Sequence, residues 1–91
     1  MFAVVVREAG DAAQIDGSAT IVSENVAPRV RQAPGFVSAL WMSDRAGGTL
    51  NVLVFSSEEA ARAALEAARM APRPPFMQVE SVDVFSVLAS A

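Results

Sequence analysis

Trp41, Asn51 and Arg7 are the residues of this chain best equipped to hold a small molecule. An indole offers a flat stacking surface and one hydrogen-bond donor, a carboxamide both donates and accepts, and a guanidinium clamps a carboxylate through paired N–H groups. Each also has a plainer reading. Large aromatics fill cores and subunit interfaces, an asparagine near a strand end bonds to backbone or solvent, and an arginine at a strand end pairs with a surface carboxylate. Glu8, next to Arg7, has the chemistry of a general base, with surface pairing as the commoner role. Asp11, Asp16, Glu80 and Asp83 show neither the spacing of a metal loop nor that of a tuned carboxyl pair, and read as solvated. Met42, Met70 and Met77 either line a plastic pocket or fill gaps in a core.

Composition removes most other chemistry. The chain has no cysteine and no histidine, so thiolate nucleophiles, sulfur metal sites and the commonest general base and metal ligand are gone. We expect no metal and no cofactor, and no catalytic residue can be assigned. The net charge is −3 and the seven cations, all arginine, are dispersed, which forms no face for nucleic acid. No basic region precedes the first apolar stretch, and no apolar run approaches the roughly 20 residues that span a bilayer, so a soluble, cytoplasmic protein without a membrane partner is expected. At 91 residues the chain is one domain, 1–91, and one this small buries only about 60% of its unfolded surface, so extra burial by oligomerisation is unsurprising.

Six elements must position these side chains. Phe2 to Glu8 is a continuous run of β-formers, suited to a strand buried on both faces. Ile15, Ala19, Val22, Val26, Val30 and Ala33 recur at steps of three and four and draw one stripe along a helix, which Pro28 should bend by removing the bond to the Glu24 carbonyl. Pro34-Gly35 stops it. Phe36 to Asp44 and Leu50 to Phe55 are a second and third strand joined by Arg45-Ala46-Gly47-Gly48. A three-residue loop with Gly47 in the left-handed region sets Trp41 opposite Asn51, whereas a four-residue loop sets Met42 opposite Asn51 and inverts every side chain. We favour the shorter loop, though Gly48 serves the longer one nearly as well. Ser56 with Glu59 is the expected capping box of the second helix, whose Ala61, Ala64, Leu65 and Ala68 form a buried face. Phe76 to Leu88 is the fourth strand.

The order βαββαβ is most economically met by an α+β, ferredoxin-like antiparallel sheet with both helices on one face and the first and third strands central. Such a sheet leaves several of Val4, Val5, Val6, Leu40, Trp41, Val52, Leu53, Val84 and Phe85 on an uncovered face. A second subunit covering that face, giving a homodimeric α/β barrel, is the natural outcome.

Residues 26–70 resemble a family at three points: Val26-Ala27-Pro28-Arg29-Val30, then Pro34-Gly35-Phe36-Val37 entering a strand, then Val54-Phe55-Ser56-Ser57-Glu58-Glu59-Ala60-Ala61 opening a helix. The pattern is similar to the antibiotic-biosynthesis-monooxygenase-like branch of the dimeric α/β-barrel superfamily. The resemblance implies a homodimer, often with a pocket between helices and sheet, in a group that includes cofactor-independent oxygenases of aromatic polyketides, haem-degrading enzymes and small isomerases. The chain departs from it in ways that bear on chemistry. The haem-degrading members use an asparagine, a tryptophan and a histidine, and here there is no histidine and no asparagine on the first strand; the oxygenases commonly use tyrosine, and there is none. Two functions remain open: binding of a small apolar or aromatic molecule at Trp41, Asn51 and Arg7, as a cofactor-independent monooxygenase or isomerase, or a ligand-free dimeric module in which the apolar faces serve assembly alone.

Overall fold

A computed structural model describes residues 1–91. Four strands, β1 (Phe2–Gly10), β2 (Phe36–Ser43), β3 (Gly48–Phe55) and β4 (Met77–Ser86), form one sheet in the order β2-β3-β1-β4. Every neighbouring pair is antiparallel, and β1 and β3 are central, as their continuous apolarity requires. Helices follow β1 and β3, which makes the order ferredoxin-like.

The first helical stretch is more broken than its apolar stripe suggests. It starts earlier than Ile15: Asp11 caps α1 (Ala12–Asp16), its Oδ2 accepting from the Gln14 N–H at 3.0 Å. After the interruption at Gly17-Ser18 come α2 (Ala19–Ile21), a π-helical run at Val22–Val26 and α3 (Ala27–Arg31). The distortion expected at Pro28 therefore lies upstream of it. Pro28 is the second residue of α3, and the widened turn directly before it contains Glu24, whose carbonyl the proline has no N–H to bond. Asp11 and Asp16 are exposed yet not idle, since Asp16 Oδ1 accepts from Ser43 Oγ at 2.6 Å and ties α1 to the end of β2.

The second helix, α4 (Glu58–Met70), begins one residue later than the Ser56–Glu59 pattern implies. Ser57 is its cap, accepting from the Ala60 N–H at 3.2 Å. Ser56 cannot be the cap, because the residue after a cap must be helical and Ser57 is itself extended at φ −137°, ψ 158°; the Ser56 N–H donates to the Gly35 carbonyl at 2.8 Å. Glu58 and Glu59 then sit in the first turn, favourably placed at the positive end of the helix dipole. Ala61 and Leu65 of α4 pack against Val4 and Val6 of β1, Phe55 of β3 and Val82 of β4, and the Phe36 ring meets Phe55 edge-on at 6.1 Å. Apart from Ile15, the first helical stretch contributes no buried side chain.

Side-chain alternation divides the sheet cleanly. Val4 and Val6 face the helices, while on the other face no helix covers Leu40, Met42 or Phe85, which are 63%, 40% and 55% exposed. The β2–β3 loop decides which polar residues fall where. Asp44 N–H donates to the Gly48 carbonyl at 2.9 Å, closing the three-residue loop Arg45-Ala46-Gly47, with Gly47 at φ 96°. Trp41 is consequently the partner of Asn51. Gly47 has a second reason to be glycine: a Cβ there would lie 2.6 Å from the Gly10 carbonyl oxygen, whose residue also donates its N–H to Gly47 O at 2.8 Å. Inside the loop, the Asp44 carboxylate accepts from the N–H groups of Ala46 at 2.7 Å and Gly48 at 2.9 Å.

Ser57→Ala should lower stability by about 0.5 to 2 kcal/mol through loss of the cap, whereas Ser56→Ala should stay within about 0.5 kcal/mol; urea midpoints of the two variants separate the assignments. The backbone N–H groups of Ala46 and then Gly48 hold the Asp44 carboxyl below its ordinary value of 3.8. A depressed folded-state pKa stabilises above the unfolded value and ceases to do so as pH falls through the folded one. The stability difference between wild type and Asp44→Ala should thus be constant above about pH 5 and shrink below 3.8, measured by urea unfolding at each pH.

Candidate functional site

Three residues line up across the helix-covered face: Val6 of β1, Asn51 of β3 and Trp41 of β2. Two positions further along β1, on the same face as Val6, stands Glu8, and it is only 6% exposed. A carboxylate removed from water needs partners, and Glu8 has two. Its Oε1 accepts from Asn51 Nδ2 at 3.0 Å and its Oε2 accepts from Arg73 Nε at 2.6 Å. Arg73 lies between Pro72 and Pro74 in the segment linking α4 to β4, and its Nη1 also donates to the Ala71 carbonyl at 2.9 Å. The guanidinium therefore fastens this proline-rich segment to the central strand. Of the three ion pairs in the chain this alone is buried, the others being exposed pairs within α4.

Asn51 keeps capacity to spare. One Nδ2 proton goes to Glu8, but Oδ1 accepts from nothing in the chain, and it is not buried. The same holds for the indole N–H of its neighbour Trp41, which is half-buried. The pair thus presents a flat apolar surface, one free donor and one free acceptor side by side, which is the equipment for orienting an aromatic molecule that carries polar groups.

Arg7 does not join them. Strand alternation sends it to the uncovered face, in line with its partner Leu50 and, beyond that, Met42. With Glu80 these residues line an open concavity of about 350 Å³ near the β2–β3 loop, and Arg7 forms no ion pair. Sequence reasoning thus groups three residues that the register splits two against one. It also misses Arg73 and the burial of Glu8. A signal exists for Glu8: counting by twos from Val4 and Val6 puts it on the core face. For Arg73 there is none, because a loop residue's partner is set by the path of the chain. No three His, Cys, Asp or Glu side chains stand together as metal ligands.

The sheet order, its antiparallel pairing and the helices on one face define a ferredoxin-like protein with the fold of the antibiotic-biosynthesis-monooxygenase-like group. No family model matches the chain, and no curated protein does. Similar solved structures include SnoaB, a cofactor-independent oxygenase from Streptomyces nogalater, at 20% identity and a TM-score of 0.65 over 98% of this chain and 94% of that one. The haem-degrading MhuD of Mycobacterium tuberculosis, with two haems in its active site, superposes at 18% identity and a TM-score of 0.62 over 100% and 99% of the two chains. A dimeric ferredoxin-like protein from an uncultured marine organism does so at 11% identity and 0.65 over 100% and 98%. At these identities the likeness is one of fold.

Arg73→Leu should be strongly destabilising, by about 3 kcal/mol or more, because it strands the Glu8 carboxylate in the interior. The double variant Glu8→Leu, Arg73→Leu should recover most of that loss. Urea unfolding of the four proteins in this cycle checks it, and an additive cycle would mean that the pair is not coupled.

Proposed function

We propose that this protein is a homodimer that binds a small, largely apolar or aromatic molecule against Trp41 and Asn51, on the helix-covered face of its sheet. The observation that carries the reading is the unpaired indole N–H and the unpaired Asn51 Oδ1 standing next to each other across β2 and β3. The neighbouring fold of a cofactor-independent oxygenase supports monooxygenation or isomerisation as the reaction class, in which the wall would stack and orient a substrate whose own ring supplies the electrons. Haem fits less well, since the chain offers no histidine, cysteine or tyrosine to hold an axial position on iron.

The dimer is supported by the exposure of Leu40, Met42 and Phe85 on the sheet face that the helices leave bare. Arg7 belongs to that face and so to the interface or its rim. A face-to-face pairing would close both sheets without altering the helix side.

Light scattering at micromolar concentration should report twice the 9.5 kDa chain mass, and Leu40→Asp should shift it toward the monomer; a stable wild-type monomer would refute the dimer. For the ligand, the single tryptophan and only two asparagines give readily assigned side-chain N–H signals in a ¹⁵N spectrum. Titration with two-ring and three-ring aromatics should move the Trp41 indole and Asn51 amide signals together. Movement confined to Arg7 and its neighbours, or none, leaves the ligand-free dimeric module as the function.

A further inference from the structure

Resting on the ligand reading above, we infer that Glu8 and Arg73 act as positioning residues that set the hydrogen-bonding polarity of Asn51, and with it the kind of polar group the site accepts. An asparagine amide looks nearly the same when turned over, so something must choose its orientation. Here the choice follows from donor and acceptor chemistry alone. Arg73 can only donate, and it donates to Glu8 Oε2 at 2.6 Å. Glu8 as a carboxylate can only accept, and its other oxygen lies 3.0 Å from the Asn51 amide. The atom facing Glu8 must therefore be Nδ2, which leaves Oδ1 unpaired and turned away from the carboxylate. Burial makes the choice firm, since Glu8 is only 6% exposed and cannot exchange its partners for water.

The consequence is selectivity. A hydroxyl placed against that edge of Asn51 donates to Oδ1 and also accepts from the remaining Nδ2 proton. An ether or ketone at the same place can only accept and leaves Oδ1 unmet. A ring bearing a hydroxyl should accordingly bind better than the same ring bearing a methoxy group, by about three- to tenfold, the usual worth of one hydrogen bond.

Glu8→Gln provides a directional test because it keeps the shape and reverses the relay. Arg73, still donor-only, would claim the carbonyl oxygen of the substituted side chain and turn that side chain's NH₂ toward Asn51. The Asn51 amide then flips to accept, and its own NH₂ faces the ligand. With 2-naphthol and 2-methoxynaphthalene as probes, wild type should prefer the hydroxyl. Glu8→Gln should lose or invert that preference, and Arg73→Lys, which retains a donor-only cation, should keep it. An unchanged preference in Glu8→Gln overturns the inference.

A ligand-free measurement separates the inference from the reading on which it rests, and it needs no variant to fold. In wild-type protein one Asn51 Nδ2 proton should exchange with solvent about three- to tenfold more slowly than those of Asn25, which is exposed on the π-helical run, because it is held by the carboxylate. Equal rates overturn the inference even if both probes bind. Slow exchange with neither probe bound leaves the positioning role intact and rejects the ligand site.

Discussion

A four-stranded sheet has two faces, and this chain supplies helices for one. Almost everything else in the structure follows from that inequality. The strands are apolar on both sides, so the helix-covered side becomes a core built on Val4, Val6, Phe55 and Val82 while Leu40, Met42 and Phe85 remain bare on the other. The uncovered side carries Arg7, while Trp41, Asn51 and Glu8 stand on the covered one. Register is what allots each side chain to its face. The closure of three residues, not four, between β2 and β3 puts Trp41 beside Asn51 on the helix-covered face and sends Met42 to the other, while alternation along β1 sends Arg7 there too.

Within the covered face, the single departure from an apolar interior is Glu8. Its burial joins three parts of the chain that are far apart in sequence: the end of β1, the middle of β3 and the proline-flanked Arg73. A buried ion pair is poor support for stability taken alone, because desolvation offsets most of the attraction. Its better attested effect is to favour one arrangement over its competitors, and here a slip of β1 by one residue would turn Glu8 out of reach of both partners.

The architecture is legible in the sequence because strand periodicity, paired glycines and proline stops are local signals. The β1 run and the α4 face at Ala61 and Leu65 follow from them, whereas two adjacent glycines leave the β2–β3 loop open to either length, and the pairing of Trp41 with Asn51 comes with the three-residue closure. Misplacements arise where local patterns compete with distant contacts. Ser56 and Ser57 are equally good caps in isolation, and it is the extended backbone of Ser57, past the point where Ser56 N–H bonds back to the distant Gly35 carbonyl, that makes Ser57 the cap. The stripe from Ile15 to Ala33 reads as one bent helix, since periodicity does not register one residue of slack in a turn. Most of the candidate site is less legible: Trp41 and Asn51 are visible by residue type, but the Glu8–Arg73 contact depends on where a proline-rich loop lands.

That slack at Val22–Val26 carries a consequence for motion. The first helical stretch is assembled from pieces of three to five residues and buries only Ile15, whereas α4 runs thirteen residues with a capped start and two buried anchors. Segments with so few apolar anchors open at a fraction of the global unfolding free energy, well before the sheet does. The two helical layers are therefore unequal in rigidity. α4 is anchored at both Ala61 and Leu65, while the first helical stretch holds to the sheet side through Ile15 alone.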